Sequence, residues 1–116
     1  MTIARHEVSQ RMSHAVVHNG VIYLAGQVSD NPGDKSVAEQ AANILEKIDR
    51  LLAQCGSEKS KLLQAQVWLT DMAHFQAFNT VWDNWVAPGN PPARACVEAA
   101  LALPEFKVEI MVIAAV

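Results

Sequence analysis

The sequence predicts an α+β fold in the order βββαβαββ, a mixed sheet with two helices on one face. Three observations lead there. Asn19-Gly20 sits between two runs rich in β-branched residues, the preferred two-residue hairpin turn. Val37, Ala41, Ile44, Leu45, Ile48, Leu51 and Leu52 recur at helical spacing and make one apolar face. The last run, KVEIMVIAAV, is almost wholly apolar and β-rich, with Glu109, Met111 and Ile113 on one face and Val108, Ile110 and Val112 on the other.

The elements follow in order. Strands are expected near residues 14–18 and 21–28 around the Asn-Gly turn, with a weaker one near 3–8. Asn31-Pro32-Gly33-Asp34 breaks the chain. Ser36 and Glu39 then form a capping-box pattern that opens the first helix, and Gly56 is placed to end it. In LLQAQVWLT, Leu63, Ala65, Val67 and Leu69 alternate with Gln64, Gln66 and Trp68, which reads as a half-buried strand. Asp71 caps a second helix through about Val86, with Phe75, Phe78, Val81, Trp82 and Trp85 on its apolar side. Pro88, Pro91 and Pro92 end it, and two strands near 94–100 and 107–115 are joined by a turn at Pro104. Apolar residues on both faces of an outer last strand call for a covering partner beyond the helices, and a subunit interface supplies one.

Composition narrows the function classes. The chain has 116 residues, 51% hydrophobic and 18% charged. It reads as one domain over 1–116, long enough to bury roughly two-thirds of its unfolded surface. Cys55 and Cys96 are too few for a disulfide framework or a four-cysteine zinc site. Net charge is −3 without a Lys/Arg cluster, so nucleic acid and anionic membranes are not expected partners. MTIARHEVSQRMSH carries no apolar run, and no stretch approaches the roughly 20 apolar residues that span a bilayer. A soluble, cytoplasmic protein is expected. His6, His14, His18 and His74 lack metal-ligand spacing, although His14 and His18 share a strand face. Cys96, beside Ala95 and Val97, reads as a small buried residue rather than a nucleophile.

Arg94 and Glu109 stand out as opposite charges in the least polar part of the chain. Strand alternation puts Arg94, Cys96 and Glu98 on one face. A hairpin of the last two strands would bring Arg94 within a few residues of Glu109. Three partners suit the Arg: Glu109 in a salt bridge at a sheet edge or subunit seam, backbone carbonyls, or a ligand anion. The guanidinium fork fits a carboxylate bidentately.

PPARACVEAALALPEFKVEIMVIAAV resembles the C-terminal signature of the RidA/YjgF family, the reactive-intermediate imine deaminases. NGVIYLAGQVS resembles that family's strand leading to a Gly-Gln pair. VWLTDMAHFQAFNTVWDNWV resembles its strand, Asp turn and second helix. The RHE start, the WDNWVAPG stretch and the FKVEI ending are most similar to the short YoaB-like branch. The resemblance covers nearly the whole chain. It implies a homotrimer of chorismate-mutase-like subunits with clefts at the subunit interfaces. It also implies hydrolysis of 2-imino acids, which arise from 2-aminoacrylate, to 2-oxo acids and ammonia, a metabolite damage-control reaction without metal or cofactor. By the same resemblance, Arg94 binds the substrate carboxylate and Glu109 orients or activates water. Asn79, Cys96 and the backbone of Gly26 line the cleft. One segment departs from the pattern. The active branch carries Tyr in a GPYSQA-like segment, where this chain reads QRMSHA, so Met12 stands in the Tyr place and His14 in the Gln place at the cleft mouth.

Two functions follow. In the first, Arg94 clamps the carboxylate of an imino acid and Glu109 takes a proton from the attacking water. In the alternative, a non-catalytic trimer binds or senses small 2-oxo acid carboxylates through Arg94 alone. An RNA-directed activity finds no support in the acidic composition.

Overall fold

A computed structural model describes residues 2–116. Six strands form one sheet: β1 (Ala4–Val8), β2 (Ser13–His18), β3 (Val21–Leu24), β4 (Leu62–Leu69), β5 (Ala93–Glu98) and β6 (Val108–Ala115), in the spatial order β1-β2-β3-β6-β4-β5. Helices α1 (Val37–Gln54) and α2 (Phe75–Trp85) complete the predicted order βββαβαββ. All neighbours are antiparallel except β4 and β5.

Local chemistry sets the boundaries. Asn19 and Gly20 both take positive φ, 53° and 76°, as a type I′ hairpin turn requires. The Ser36–Glu39 capping box is formed in both directions at the start of α1. At the other end Gly56, with φ 78°, donates to the Ala53 carbonyl while Ser57 donates to the Leu52 carbonyl, a Schellman closure. The apolar face of α1 is buried as its spacing predicts: Val37, Ala41, Ile44, Leu45, Ile48, Leu51 and Leu52. It packs on the sheet face formed by Ala15, Ile22, Leu24, Ala65, Val67, Leu69, Val108, Ile110, Val112 and Ala114. Each large side chain buried there contributes about 1.5–3 kcal/mol of transfer free energy. Phe78 and Trp82 carry α2 into the same core.

Five expectations need correction. The last two strands do not pair. The α2 crossover lays β5 parallel to β4, and β4 separates β5 from β6. A strand–helix–strand connection of this length permits parallel pairing, which a short turn cannot. Arg94 and Glu109 are therefore not brought together by a hairpin. Nor is β6 an outer strand, since it lies between β3 and β4. In β4 the buried residue is Leu62, and Leu63 is 49% exposed, because the register against β6 shifts between Leu62 and Gln64. Asp71 caps a 3₁₀ turn, Met72–His74, that precedes α2, rather than the helix itself. The strand expected over 21–28 stops at Leu24 and resumes only as a bridge between Gln27 and Ile110.

Among the described residues, the second sheet face carries no helix. Tyr23, Trp68, Glu109, Met111, Ile113 and Val97 lie on it, partly or largely exposed. Among the described residues, no helix is long and apolar enough to cross a membrane.

Candidate functional site

The site residues fall into two groups on opposite faces of the sheet. Arg94 pairs with Ala65 on β4, and Ala65 pairs with Val112 on β6, which faces the helices. Glu109 lies three residues from Val112 along the same strand, so it points the other way.

The first group is built on β5 and α2. Residues 78, 79 and 82 fall on one side of α2, so Phe78, Asn79 and Trp82 meet Arg94 together. The Arg94 Nη1 donates to Asn79 Oδ1 at 2.9 Å. The guanidinium carbon lies 5.2 Å from the Trp82 ring centroid and 5.8 Å from that of Phe78. Cation–π attraction and the Asn bond thus fix the fork while one side stays open to solvent. Arg94 is exposed and, among the described residues, makes no ion pair. Cys96 shares its face and is half-buried. Burial pushes the Cys96 thiol up, and the Arg94 charge offsets only part of that, so the residue is held as a thiol and not as a reactive thiolate.

The second group is built on β6 and the segment after β3. Tyr23 faces Ile113 and Gln27 faces Ile110, so four steps on one chain match three on the other. The surplus residue makes a β-bulge at Ala25-Gly26, a device that re-aims backbone beside a site. Gly26 lies directly against Glu109: a Cβ at Gly26 would stand 2.1 Å from Glu109 Oε2. Any larger residue there would force the carboxylate out of this position. Burial raises the Glu109 pKa, with no opposing donor or cation among the described residues. A carboxylate partly desolvated in this way is a stronger base than one in solution.

His14 joins this second group through Gln27, whose Nε2 lies 3.3 Å from His14 Nδ1 and donates to the Ala25 carbonyl at 3.0 Å. Met12 lies beyond it in an exposed turn, held through Ser9, whose hydroxyl bonds both the Met12 carbonyl and the Met12 amide. The structure thus unites Arg94, Asn79 and Cys96, and separately unites Glu109, Gly26 and His14. It does not bring the two sets together within one chain.

Two contributors were not singled out from sequence. Gln27 is 2% exposed, and nothing in strand periodicity marks a buried amide. Trp82 reads as core, which it is, but its ring also supports Arg94; its spacing from Asn79 along α2 was the available signal.

Among the described residues, no group of three His, Cys, Asp or Glu side chains could hold a metal ion. A surface pocket of about 240 Å³ lies elsewhere, lined by Asp30, Asn43, Glu46, Lys47 and Arg50. Its cations are engaged internally, Lys47 with Asp30 and the Val28 carbonyl, Arg50 with Glu7, so the Arg94 and Glu109 groups carry the stronger case for function.

Known proteins agree with this architecture. The family profile described as Endoribonuclease L-PSP matches residues 2–116. A RutC family protein of Haemophilus influenzae is 46% identical over 114 residues, covering 98% of each chain. The RutC family protein YoaB of Escherichia coli is 44% identical over 116 residues, covering all of both. A crystal structure of a YjgF-family protein from Neisseria meningitidis superposes with a TM-score of 0.96 at 50% identity, covering 99% of this chain and 95% of that one. Matching along its full length in sequence and in fold, the chain belongs to the RidA/YjgF family, in the branch that contains YoaB.

Proposed function

We propose that this protein is a 2-imino acid deaminase, hydrolysing imines derived from 2-aminoacrylate to 2-oxo acids and ammonia. The carrying observation is the Arg94 fork. It is braced by Asn79 and Trp82 and unpaired among the described residues, which leaves donors for a substrate carboxylate. The burial of Glu109 against Gly26 adds a base of raised pKa.

Because the two groups lie on opposite faces of one sheet, the proposal includes assembly. The Arg94 group of one copy meets the Glu109 group of a second across an interfacial cleft, in a homotrimer packed through the open sheet face. In that cleft Arg94 holds the carboxylate and fixes the C=N carbon. Glu109 takes a proton from water as the oxygen bonds to that carbon and the C=N π electrons move to nitrogen. Glu109 hands that proton to the nitrogen, giving a carbinolamine; the hydroxyl proton then passes to nitrogen as the C–N bond breaks, so ammonia leaves and the oxygen becomes the carbonyl of the 2-oxo acid. No step calls for a metal or cofactor. A cytoplasmic location belongs to the same proposal.

Met12, in the place of the active branch's Tyr, favours a second reading. The thioether offers no hydroxyl at the cleft mouth, which would leave a binder of small 2-oxo acids that needs Arg94 but not Glu109. The test supplies imines from an amino-acid oxidase and traps the remainder with semicarbazide. Wild-type protein is expected to reduce trapping and Arg94→Ala is not. Equal trapping with both folded proteins would sink the deaminase and leave the binder.

A further inference from the structure

We propose that Gln27 is a positioning residue, its side-chain bonds to His14 and the Ala25 carbonyl holding the Gly26 backbone against the Glu109 carboxylate. The inference rests on the reading of Glu109 as the group that activates water, and it adds a residue that reading does not use.

The geometry is specific. The backbone of Gln27 is fixed on both sides, its N–H donating to the Ile110 carbonyl at 2.8 Å and its carbonyl accepting from the Ile110 N–H at 3.1 Å. That bridge anchors one end of the bulge beside Glu109. The other end is anchored where the Ala25 N–H donates to the His14 carbonyl at 2.9 Å. Gly26 lies between them with no side chain of its own to hold it. The Gln27 amide spans the gap, reaching back to the Ala25 carbonyl at 3.0 Å and to His14 Nδ1 at 3.3 Å. The Ala25 carbonyl can only accept, which fixes the amide nitrogen as the inward atom. His14 Nδ1 then accepts as well, and the ring proton of neutral His14 is assigned to Nε2.

A buried amide is costly unless it is bonded, so a residue 2% exposed in this position calls for a reason. An apolar residue of the same length would fill the space without the bonds. What the amide adds is a fixed distance between Gly26 and β2. That distance limits how far the bulge can lift from Glu109 and admit water. The Glu109 carboxylate lies against Gly26, while the Gln27 amide is engaged by His14 and the Ala25 carbonyl, so Gln27 acts through its neighbour.

The test is Gln27→Met, which keeps length and volume but removes both donated bonds, compared with Arg94→Ala in the assembled protein. Loosening the Glu109 side is expected to lower kcat by about tenfold with KM nearly unchanged, while Arg94→Ala raises KM. Independently of activity, the ¹³C carboxyl signal of Glu109 should move in Gln27→Met, and its titration midpoint should fall toward the ordinary carboxylate range as water enters. Arg94→Ala, which takes a cation out of the same cleft, should not lower the midpoint. His14→Ala, at a half-buried position, removes one acceptor and should give the smaller shift of the same sign, deciding the matter should Gln27→Met not fold. A Glu109 signal and midpoint unmoved in both variants would overturn the proposal. If wild type hydrolyses no imine, the catalytic reading fails, and the carboxyl signal alone decides whether Gln27 positions Glu109.

Discussion

The two halves of the candidate site are held by opposite means. Arg94 is held by what surrounds it, a ring beneath and an amide beside it, on an edge strand that only β4 supports. Glu109 is held by something missing, the side chain that Gly26 lacks, on a strand flanked by β3 and β4. The contrast follows from the charges. A guanidinium keeps its proton under all ordinary conditions and needs only orientation. A carboxylate used as a base needs its pKa raised, and close backbone with little water does that. One half is built for aim and the other for basicity.

The strongest way to break this comparison is to separate the halves on different chains. Arg94→Ala and Glu109→Gln should each lose about 100-fold or more in kcat/KM. Co-assembled in equal amounts, they should recover about a quarter of wild-type sites, since a cleft is intact when one copy brings Arg94 and its neighbour brings Glu109. No recovery from assembled mixtures would mean that both halves serve one chain, and the interfacial cleft would have to be abandoned.

A smaller effect sharpens the role of the gap. Gly26→Ala puts a Cβ into the space of Glu109 Oε2, so the carboxylate must swing toward solvent. Deaminase turnover is expected to drop by about tenfold, in kcat more than KM, with the protein still folded. Unchanged kinetics would show that contact with Gly26 is incidental.

The smallest effect concerns stability. The Glu109 pKa is raised in the folded protein by burial, so the native state binds its proton more tightly than the unfolded chain does. Stability from this group is therefore fully present at low pH and is lost as pH rises through the folded pKa. Glu109→Gln should accordingly raise Tm slightly at neutral pH, with the gain vanishing in acid below the ordinary carboxylate range. Equal melting of the two proteins across that window would remove the case for a desolvated carboxylate.

How much of this was legible in the sequence depended on whether a signal was local. The Asn19-Gly20 turn, the Ser36 capping box, the Gly56 terminator and the apolar face of α1 each depend on residues close in the chain, and each formed as read. The order of strands depends on which distant segments pair, and periodicity is silent on that. The Arg94–Glu109 hairpin therefore failed: alternation assigned each residue a face, but nothing local revealed that β4 would come between their strands. The bulge before Gln27 escaped for the same reason, since a surplus residue shows only against a partner strand. Arg94 and Glu109 stood out as charges in the least polar part of the chain, the site roles of Asn79, Cys96, Gly26, Met12 and His14 came from resemblance, and the division into two groups came only from the fold.

The position of β6 has a further consequence for biosynthesis. This strand joins the β1–β3 meander to the β4–β5 pair, which have no direct pairing with each other. A nascent chain emerging from the ribosome can form the Asn19-Gly20 hairpin and α1 early, but it cannot join the two parts of its sheet until Val108–Ala115 has been translated. Until then the Leu24 and Leu69 strands present open edges in a partly made protein. Slowing translation before residue 108 should therefore lengthen the period in which the unfinished chain depends on chaperones.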